Sequence, residues 1–434
     1  MTKRTISVET MRRSLKRANV SFLLYIIALF QISAMVLLSL KDSSIDMQAL
    51  YLAGIMPAVT VLLVKLLPKI WKIDTLILTL TLFLCSVSVI TLTAIARSSI
   101  TPRNQAIYIA AGLIAMLAGI IFIRHFKKWG RWKVFFMICS LGFIALPLVI
   151  GDWHDGAKNW ITIKQDTLTV QPSEFVKLSL AVVLASCLSE RQSRTMKIVA
   201  IVFGALLCGI LLLERDLGAL LLYFFLTVIL YFLATSNALI SLLGLAAGAA
   251  GSVGAYYMFA HVRRRVVAWR NPWADYANSG YQIIQSLIAI GSGGLFGMGL
   301  GLGMPRVIPL YHSDFVFAAI CEQFGYLFAL CLLAVYVLIV MRGVSIAMSC
   351  RNSFHALLAF GIVTLLGLQT LLIVGGNIRL IPLTGVTLPF IASGGSSMVS
   401  CMGGIGLLLG ISSLNADQDA DDVRRAELQE ADAA

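Results

Sequence analysis

Long apolar runs separated by short polar connections dominate the chain and predict a bundle of membrane-spanning helices. A helix needs about 20 apolar residues to cross the hydrocarbon core of a bilayer. Runs of about this length recur from the N-terminal region to the C-terminal region. They predict an all-α integral membrane protein with about 12 transmembrane helices, at approximately 19–40, 49–67, 74–96, 106–123, 134–150, 172–190, 195–213, 216–233, 238–258, 313–341, 353–374 and 388–411.

The composition supports this interpretation. Of 434 residues, 59% are hydrophobic and only 13% are charged, whereas soluble domains carry about 25% charged residues. The formal charge of +13 comes from basic residues in short clusters between apolar runs. Such clusters are typical of membrane-surface anchors, so we expect no nucleic-acid partner. The first apolar run follows a basic stretch without a small-residue cleavage site, and we interpret it as a retained span.

The distribution of lysine and arginine predicts the orientation. With a cytoplasmic N-terminus, the inner segments hold 21 basic residues, and the outer segments hold 7 when the long segment 259–312 is set aside. Because positive charge concentrates inside, both termini are predicted to be cytoplasmic and 259–312 to be a large extracytoplasmic loop. The predicted parts are a basic N-terminus (1–18), N-terminal helices (19–150), a membrane core (151–414) and an acidic tail (415–434). The tail is predicted to be solvated and disordered, with a partner-docking segment as the alternative.

The first unusual outward segment is Gly151–Lys177. Its Gln171-Pro172 step is typical of a helix start. Glu174 lies near that start, where a negative charge is favourable, and Lys177 lies one turn further along the same face. Charged residues inside a membrane are costly unless they face a polar cavity. The pair is therefore a functional candidate, with simple helix-end stabilisation as the alternative.

The second outward segment, 259–312, carries arginines on the side that normally avoids them. Between Asp216 and Asp314 the only acid is Asp275. The arginines can bind a phosphate or pyrophosphate through paired hydrogen bonds, and the acid can serve as a general base. A salt-bridged loop without chemistry is the alternative. The arginines concerned are Arg263, Arg264, Arg265, Arg270 and Arg306.

The remaining outward stretches contain many helix-breaking residues. The glycine-rich segment 292–303 cannot be a stable lipid-exposed helix and must be buried against protein or line a cavity. Segment 375–397 contains prolines and glycines that predict a re-entrant or broken-helix entry. Polar candidates in or beside these stretches are Gln282, His312, Asp314, Ser396 and Ser397, although hydrogen bonding to the local backbone is the alternative role for the two serines.

Six strings in a fixed order resemble the FtsW/RodA/SpoVE proteins, the shape, elongation, division and sporulation (SEDS) family. They cover about residues 150–412 and read GAKNW, QPSEFVKL, DLG, NPWAD followed by SGYQIIQSLIAIGSGGLFGMGLG, HSDFVFAAICEQFG and PLTGVTLPFIASGGSS. The family commonly has ten spans, so the resemblance implies a ten-helix core with about two extra N-terminal helices. This chain departs from the usual pattern where Arg215 precedes DLG, where Leu310 precedes the His-Ser-Asp motif and where Gln323 follows Glu322.

The resemblance implies a peptidoglycan glycosyltransferase of the bacterial cytoplasmic membrane that polymerises lipid II at the outer face, beside a class B penicillin-binding transpeptidase. The lipid-linked glycan strand would be the second substrate. The family's catalytic acid falls on Asp275, and its paired glutamate and lysine fall on Glu174 and Lys177. No resident cofactor is implied, although a pyrophosphate leaving group often recruits a divalent cation, Mg²⁺ or Mn²⁺. The alternatives are a flippase of a lipid-linked precursor, which broken helices and intramembrane charge also suit, and a non-catalytic scaffold for a transpeptidase.

Overall fold

The computed structural model describes residues 20–41, 46–95, 100–126, 129–154, 157–164, 168–189, 193–276 and 280–432. In this part of the chain the α-helices are, in order, α1 (Ser21–Ser39), α2 (Met47–Trp71), α3 (Thr75–Ile95), α4 (Ile100–His125), α5 (Trp129–Ile150), α6 (Pro172–Leu188), α7 (Arg194–Glu214), α8 (Leu217–Thr235), α9 (Ala238–Met258), α10 (Ala260–Arg270), α11 (Tyr281–Gly293), α12 (Val316–Ser349), α13 (Ser353–Asn377) and α14 (Gly395–Asp432).

The long apolar runs form helices as predicted. Eleven helices in the described ranges are long and apolar enough to cross a membrane. The run predicted at 172–190 forms α6, which begins at Pro172 as the proline-containing start indicated and has 17 residues. Most side chains of α3, α6 and α13 are buried, whereas α9 presents nearly all of its side chains outward. The first group therefore forms the centre of the bundle.

Helices α1 and α2 form an N-terminal hairpin that packs against the centre of the bundle. Met35 and Ala53 share an apolar cluster with Ile90 of α3. The ring of Phe30 stacks on the ring of Phe328 in α12, with the centroids 5.7 Å apart. A buried amide, Gln31, donates hydrogen bonds to hydroxyls of both α2 and α3. The hairpin is thus joined to α3 by apolar packing and by a buried polar contact.

The segments that were predicted to be cytoplasmic meet at one end of the bundle. Arg342 forms a 2.8 Å ion pair with Asp74, and Asp417 pairs with Lys72 and Arg124 at 3.0 and 2.9 Å. The prediction of a disordered tail is wrong, because α14 continues as a helix to Asp432. Extending an existing helix needs no new nucleus, and the ion pairs neutralise part of the acidic charge of the tail.

The expectation of a purely helical chain also needs one correction. Between α5 and α6 lies a small antiparallel sheet with the strand order β1 (Asp152–His154), β2 (Ala157–Lys164) and β3 (Leu168–Val170). Ile161 pairs with Val170 across β2 and β3. The run Trp160 to Ile163 consists of aromatic and β-branched residues, which favour a strand.

The glycine-rich segment after α11 is non-helical and packs its backbone against α12 on one side, while Leu295 and Phe296 stay exposed on the other. The Met298 N–H donates to the Glu322 carbonyl over 2.8 Å, and the Tyr326 N–H donates to the Gly294 carbonyl over 2.9 Å. Gly297 has a φ of +83°, and a Cβ on it would lie 2.2 Å from a carbonyl oxygen of α12. Such an approach is open to glycine alone.

Candidate functional site

The three outward segments singled out in the sequence converge on one cavity of about 730 Å³. Its walls come from β2, the start of α8, one face of α10, the start of α11, the turn before α12 and the non-helical stretch between α13 and α14. The volume lies in the range of ligand-binding clefts, about 300–1,000 Å³. Gln282 from α11 and both His312 and Asp314 from the turn line it.

Helix α10 supplies the basic wall. His261, Arg264, Arg265 and Ala268 line the cavity, and their spacing of three and four residues places them on one helical face. Arg265 Nη1 donates to the carbonyls of Leu383 and Thr384, at 3.3 and 3.0 Å, which fixes its guanidinium against the opposite wall. Two other predicted arginines of this helix, 263 and 270, are exposed and do not line the cavity.

Two histidines line the cavity beside these arginines. Burial, with the positive charges of Arg215, Arg265 and Arg264, lowers the pKa of His261 below its ordinary value. Burial alone lowers the pKa of His312. Both rings therefore favour the neutral form, so the positive charge of the cavity comes from its arginines.

The turn before α12 is held by a buried asparagine. Asn377 Nδ2 donates to the Asp314 carbonyl over 2.8 Å, and its Oδ1 accepts the Ala318 N–H at 3.3 Å. The Ser393 N–H donates to the His312 carbonyl over 2.8 Å. The backbone that carries His312 and Asp314 is thus bonded both to α13 and to the stretch before α14.

Asp216 is a site residue that the sequence reasoning did not single out. One carboxylate oxygen accepts hydrogen bonds from Asn159, Gln171 and Ser173, at 2.8, 3.1 and 3.1 Å. The other oxygen caps α8 by accepting the Ala219 N–H at 3.0 Å. The side chain lines the cavity and ties the sheet, α6 and α8 together. The available signal was an acid between two adjacent spans, at the position of a helix N-cap.

Glu174 and Lys177 form a buried ion pair beneath the cavity and do not themselves line it. Lys177 Nζ also donates to Gln369 Oε1 over 3.0 Å, and Gln369 Nε2 donates to the Thr387 carbonyl over 2.8 Å. Thr387 Oγ1 donates in turn to Ser397 Oγ over 2.6 Å. Since Thr387 and Ser397 line the cavity, the pair reaches its wall through this hydrogen-bonded chain.

The stretch between α13 and α14 is non-helical, as its prolines and glycines predicted. Ser396 and Ser397, in the first turn of α14, contact protein groups. Ser396 Oγ accepts the Gln171 N–H at 3.1 Å, and Ser397 accepts from Thr387. The Gln171 N–H belongs to the start of α6 and not to the local backbone, so the roles suggested for the two serines stay predictions.

Asp275 ends the 3₁₀ turn Pro272–Asp275, which directly follows the arginine-bearing α10. The Ala274 N–H closes this turn on the Asn271 carbonyl over 3.3 Å. The rings of Trp273 and Tyr276 stack beside it, with the centroids 6.2 Å apart. The carboxylate of Asp275 lies outside the side chains that the structure describes.

The described residues contain no group of three or more His, Cys, Asp or Glu side chains arranged to hold a metal ion. Among the side chains that the structure describes, Asp216 and Asp314 are the acids that line the cavity, and both oxygens of Asp216 already accept protein hydrogen bonds. The divalent cation stays a prediction.

Comparisons with known proteins identify relatives of the whole membrane core. A family model described as the FtsW/RodA/SpoVE cell cycle protein matches residues 65–416. The chain is 33% identical to the peptidoglycan glycosyltransferase RodA of Mycobacterium tuberculosis over 317 residues, which cover 69% of this chain and 67% of that protein. It is also 33% identical to stage V sporulation protein E of Bacillus subtilis, over 71% of this chain and 86% of that protein.

The fold has a solved counterpart as well. A chain from a structure describing how a peptidoglycan synthase complex coordinates polymerization and crosslinking superposes with a TM-score of 0.66. The two chains share 25% sequence identity, and the match covers 79% of this chain and 98% of the other.

Proposed function

The chain belongs to the FtsW/RodA/SpoVE family, and on that premise we propose that it is a peptidoglycan glycosyltransferase that polymerises lipid II at the outer face of the cytoplasmic membrane. Relatives with this family's sequence are named peptidoglycan glycosyltransferases. One observation carries the proposal. Three segments far apart in the sequence, all assigned to the outer face by the charge distribution, meet around one arginine-lined cavity.

The cavity offers groups suited to a lipid-linked donor. Because sugar nucleotides are not supplied outside the cell, the donor sugar must arrive on a prenyl pyrophosphate. Arg264 and Arg265 would bind the pyrophosphate and stabilise the negative charge that develops as it leaves. The two contacts from Arg265 to the opposite wall orient its guanidinium in advance.

Asp275 would serve as the general base. It would accept the proton of the acceptor sugar's 4-hydroxyl as that oxygen attacks the anomeric carbon of the donor. Assistance of this kind contributes about 100- to 10,000-fold in rate. A single displacement inverts the anomeric centre. Its backbone position, one turn after the arginine-bearing helix α10, supports this assignment.

The buried pair Glu174 and Lys177 would act as positioning residues. The hydrogen bonds from Lys177 through Gln369 to Thr387 end in the non-helical stretch between α13 and α14. The carbonyl of Thr384 in the same stretch accepts a hydrogen bond from Arg265. We assign the pair the task of holding this wall in place, because neither charged group lines the cavity.

A transpeptidase partner of the class B penicillin-binding type is part of the proposal. The superposable solved chain comes from a complex that joins polymerization to crosslinking. Membrane attachment of both proteins would bring the crosslinking site to the growing strand. The cell-wall role also fits a multi-pass membrane location, given the eleven span-length helices in the described ranges.

The test uses the purified full-length chain in proteoliposomes with fluorescent lipid II. Glycan products are separated by electrophoresis, and movement of labelled lipid II between leaflets is measured in the same preparation. We expect polymer without leaflet exchange. Leaflet exchange without polymer would instead favour the flippase alternative, and neither activity, even with the transpeptidase added, would favour the scaffold alternative.

A further inference from the structure

A second, smaller cavity of about 240 Å³ lies where the N-terminal hairpin meets the membrane core. Lys41 from the connection after α1, the end of α3 at Ile95, and the segment Gly301–Val307 line it together with Gln323 of α12. No residue lines both cavities. Since the family match begins at residue 65, the hairpin side of this cavity belongs to a part of the chain that precedes the matched region.

The charge lining this cavity is positive. Lys41 and Arg306 are its charged lining residues, and no acid is among the described residues that line it. Arg306 Nε donates to the Ile95 carbonyl over 2.9 Å, which holds its guanidinium at the C-terminal end of α3. Glu322 lies behind the lining and accepts the Met304 N–H at 2.9 Å. An anion entering the cavity would therefore meet two cations first.

A glycine turn shapes the cavity around the lysine. Gly301 has a φ of +78°, and its N–H donates to Gln323 Oε1 over 3.0 Å. A Cβ on this glycine would lie 2.9 Å from Lys41 Nζ, so the lysine side chain lies directly against the turn. Gln323 is 1% exposed, and its Nε2 has no hydrogen-bond acceptor within the described structure. An anionic oxygen brought to this turn would supply the type of partner that this amide lacks.

The surroundings point to a lipid. Leu302 and Met304 beside the cavity are 66% and 75% exposed, as expected of side chains that face hydrocarbon. The cations lie at the predicted outer end, where membrane proteins normally carry few lysines and arginines. Cations between helices, next to lipid-facing apolar side chains, suit a phosphate head group. The volume is below the usual range for sites that enclose a drug-sized molecule, which suits a single head group.

We propose that this cavity binds the phosphate of an anionic phospholipid head group and that the bound lipid fastens the N-terminal hairpin to the core. The proposal concerns a site apart from the large cavity and does not depend on the proposed glycosyltransferase activity.

The experiment titrates the purified full-length protein, in a neutral detergent, with short-chain phosphatidylglycerol, phosphatidylcholine or inorganic phosphate. Bound lipid is counted by native mass spectrometry, and the unfolding temperature is followed in parallel, because a ligand that binds the folded state alone raises it. The variants are Lys41→Gln, Lys41→Arg and Gln323→Glu. The last keeps the acceptor for the Gly301 N–H and adds a negative charge. Arg103→Gln, at an exposed arginine of α4 away from the cavity, is the control.

We expect phosphatidylglycerol to bind and to raise the unfolding temperature, and phosphatidylcholine to do so much less. Lys41→Gln and Gln323→Glu should each weaken binding by about fivefold or more, since one cation near a membrane surface contributes about 1 kcal/mol. Lys41→Arg should bind nearly as the wild type does. Equal binding of the two lipids, or unchanged binding by Lys41→Gln, would overturn the site. Inorganic phosphate that binds as well as phosphatidylglycerol would overturn the lipid assignment.

Discussion

Replacing Lys177 with methionine tests the role of the buried ion pair most sharply. The lysine is 3% exposed and contacts both Glu174 and Gln369. Methionine has a similar length, so the change removes the charge and the hydrogen bonds while leaving little empty volume. The Glu174 carboxylate would then remain buried without its cation, and Gln369 Oε1 would lose a donor.

The expected loss is large. Removing one partner of a buried pair costs about 3–5 kcal/mol, because the other charge stays buried and uncompensated. Replacing both partners by apolar residues is often nearly neutral. We therefore expect Lys177→Met to lower the free energy of unfolding by about this amount, and the double variant Lys177→Met with Glu174→Leu to recover most of it.

The assay is reversible unfolding of the full chain in mixed micelles, with Lys69→Met as the control at an exposed lysine of α2. The control should unfold at the wild-type denaturant concentration. A Lys177→Met protein as stable as the wild type would refute the reasoning. So would a double variant as unstable as the single one.

Three further predictions concern the large cavity. Asp216→Ala removes the acceptor of three side-chain donors and should lower the free energy of unfolding by at least about 2 kcal/mol. Asp152→Ala, at an exposed strand residue, should leave it unchanged. An Asp216→Ala protein as stable as the wild type would contradict the assigned hydrogen-bond network. Arg265→Lys keeps the charge but loses the planar guanidinium, so kcat/KM for lipid II polymerisation should fall about tenfold. The control Arg263→Lys should retain activity. A fully active Arg265→Lys protein would contradict the pyrophosphate role. The pKa of His261 is lowered in the folded state, so the unfolded chain binds this proton first as the pH falls, and stability is lost below the ordinary pKa of 6.5. In thermal unfolding, His261→Gln should therefore lose less stability than the wild type between pH 7 and pH 5. Identical pH profiles would contradict this.

The spans could be predicted from the sequence because their signal is local. Apolar runs of membrane length need no knowledge of the neighbouring helices, and the same holds for Pro172 at the start of α6. The positions of prolines and glycines after α13 likewise indicated a non-helical stretch. These features depend on the hydrophobicity and the backbone preferences of neighbouring residues, and both can be read from the sequence itself.

Other features depend on contacts between distant segments. Asp216 could be seen as an acid between two spans, but its three donors come from β2 and the start of α6, far away in sequence. The burial of Lys177 against Gln369 is a contact of the same kind. The order of the acidic tail depends on contacts of the same kind, because Asp417 pairs with Lys72 at the end of α2 and with Arg124 in the last turn of α4.

Division of the arginines into two groups also required the structure. The sequence presents five candidates on the outer side without ranking them. The helical phase of α10 brings Arg264 and Arg265 to the large cavity and leaves its other two arginines outside the lining, whereas Arg306 lines the small cavity. The arginines of segment 259–312 are thus divided between two separate cavities.

The most direct test of the central claim is the rate of lipid II polymerisation by purified Asp275→Asn protein, measured beside the wild type and an Asp152→Asn control. Asparagine keeps the size of the side chain and removes the base. The account predicts a loss of about 100-fold or more for Asp275→Asn, with the control unaffected and both variants folded. A variant that builds glycan strands at the wild-type rate would contradict the account.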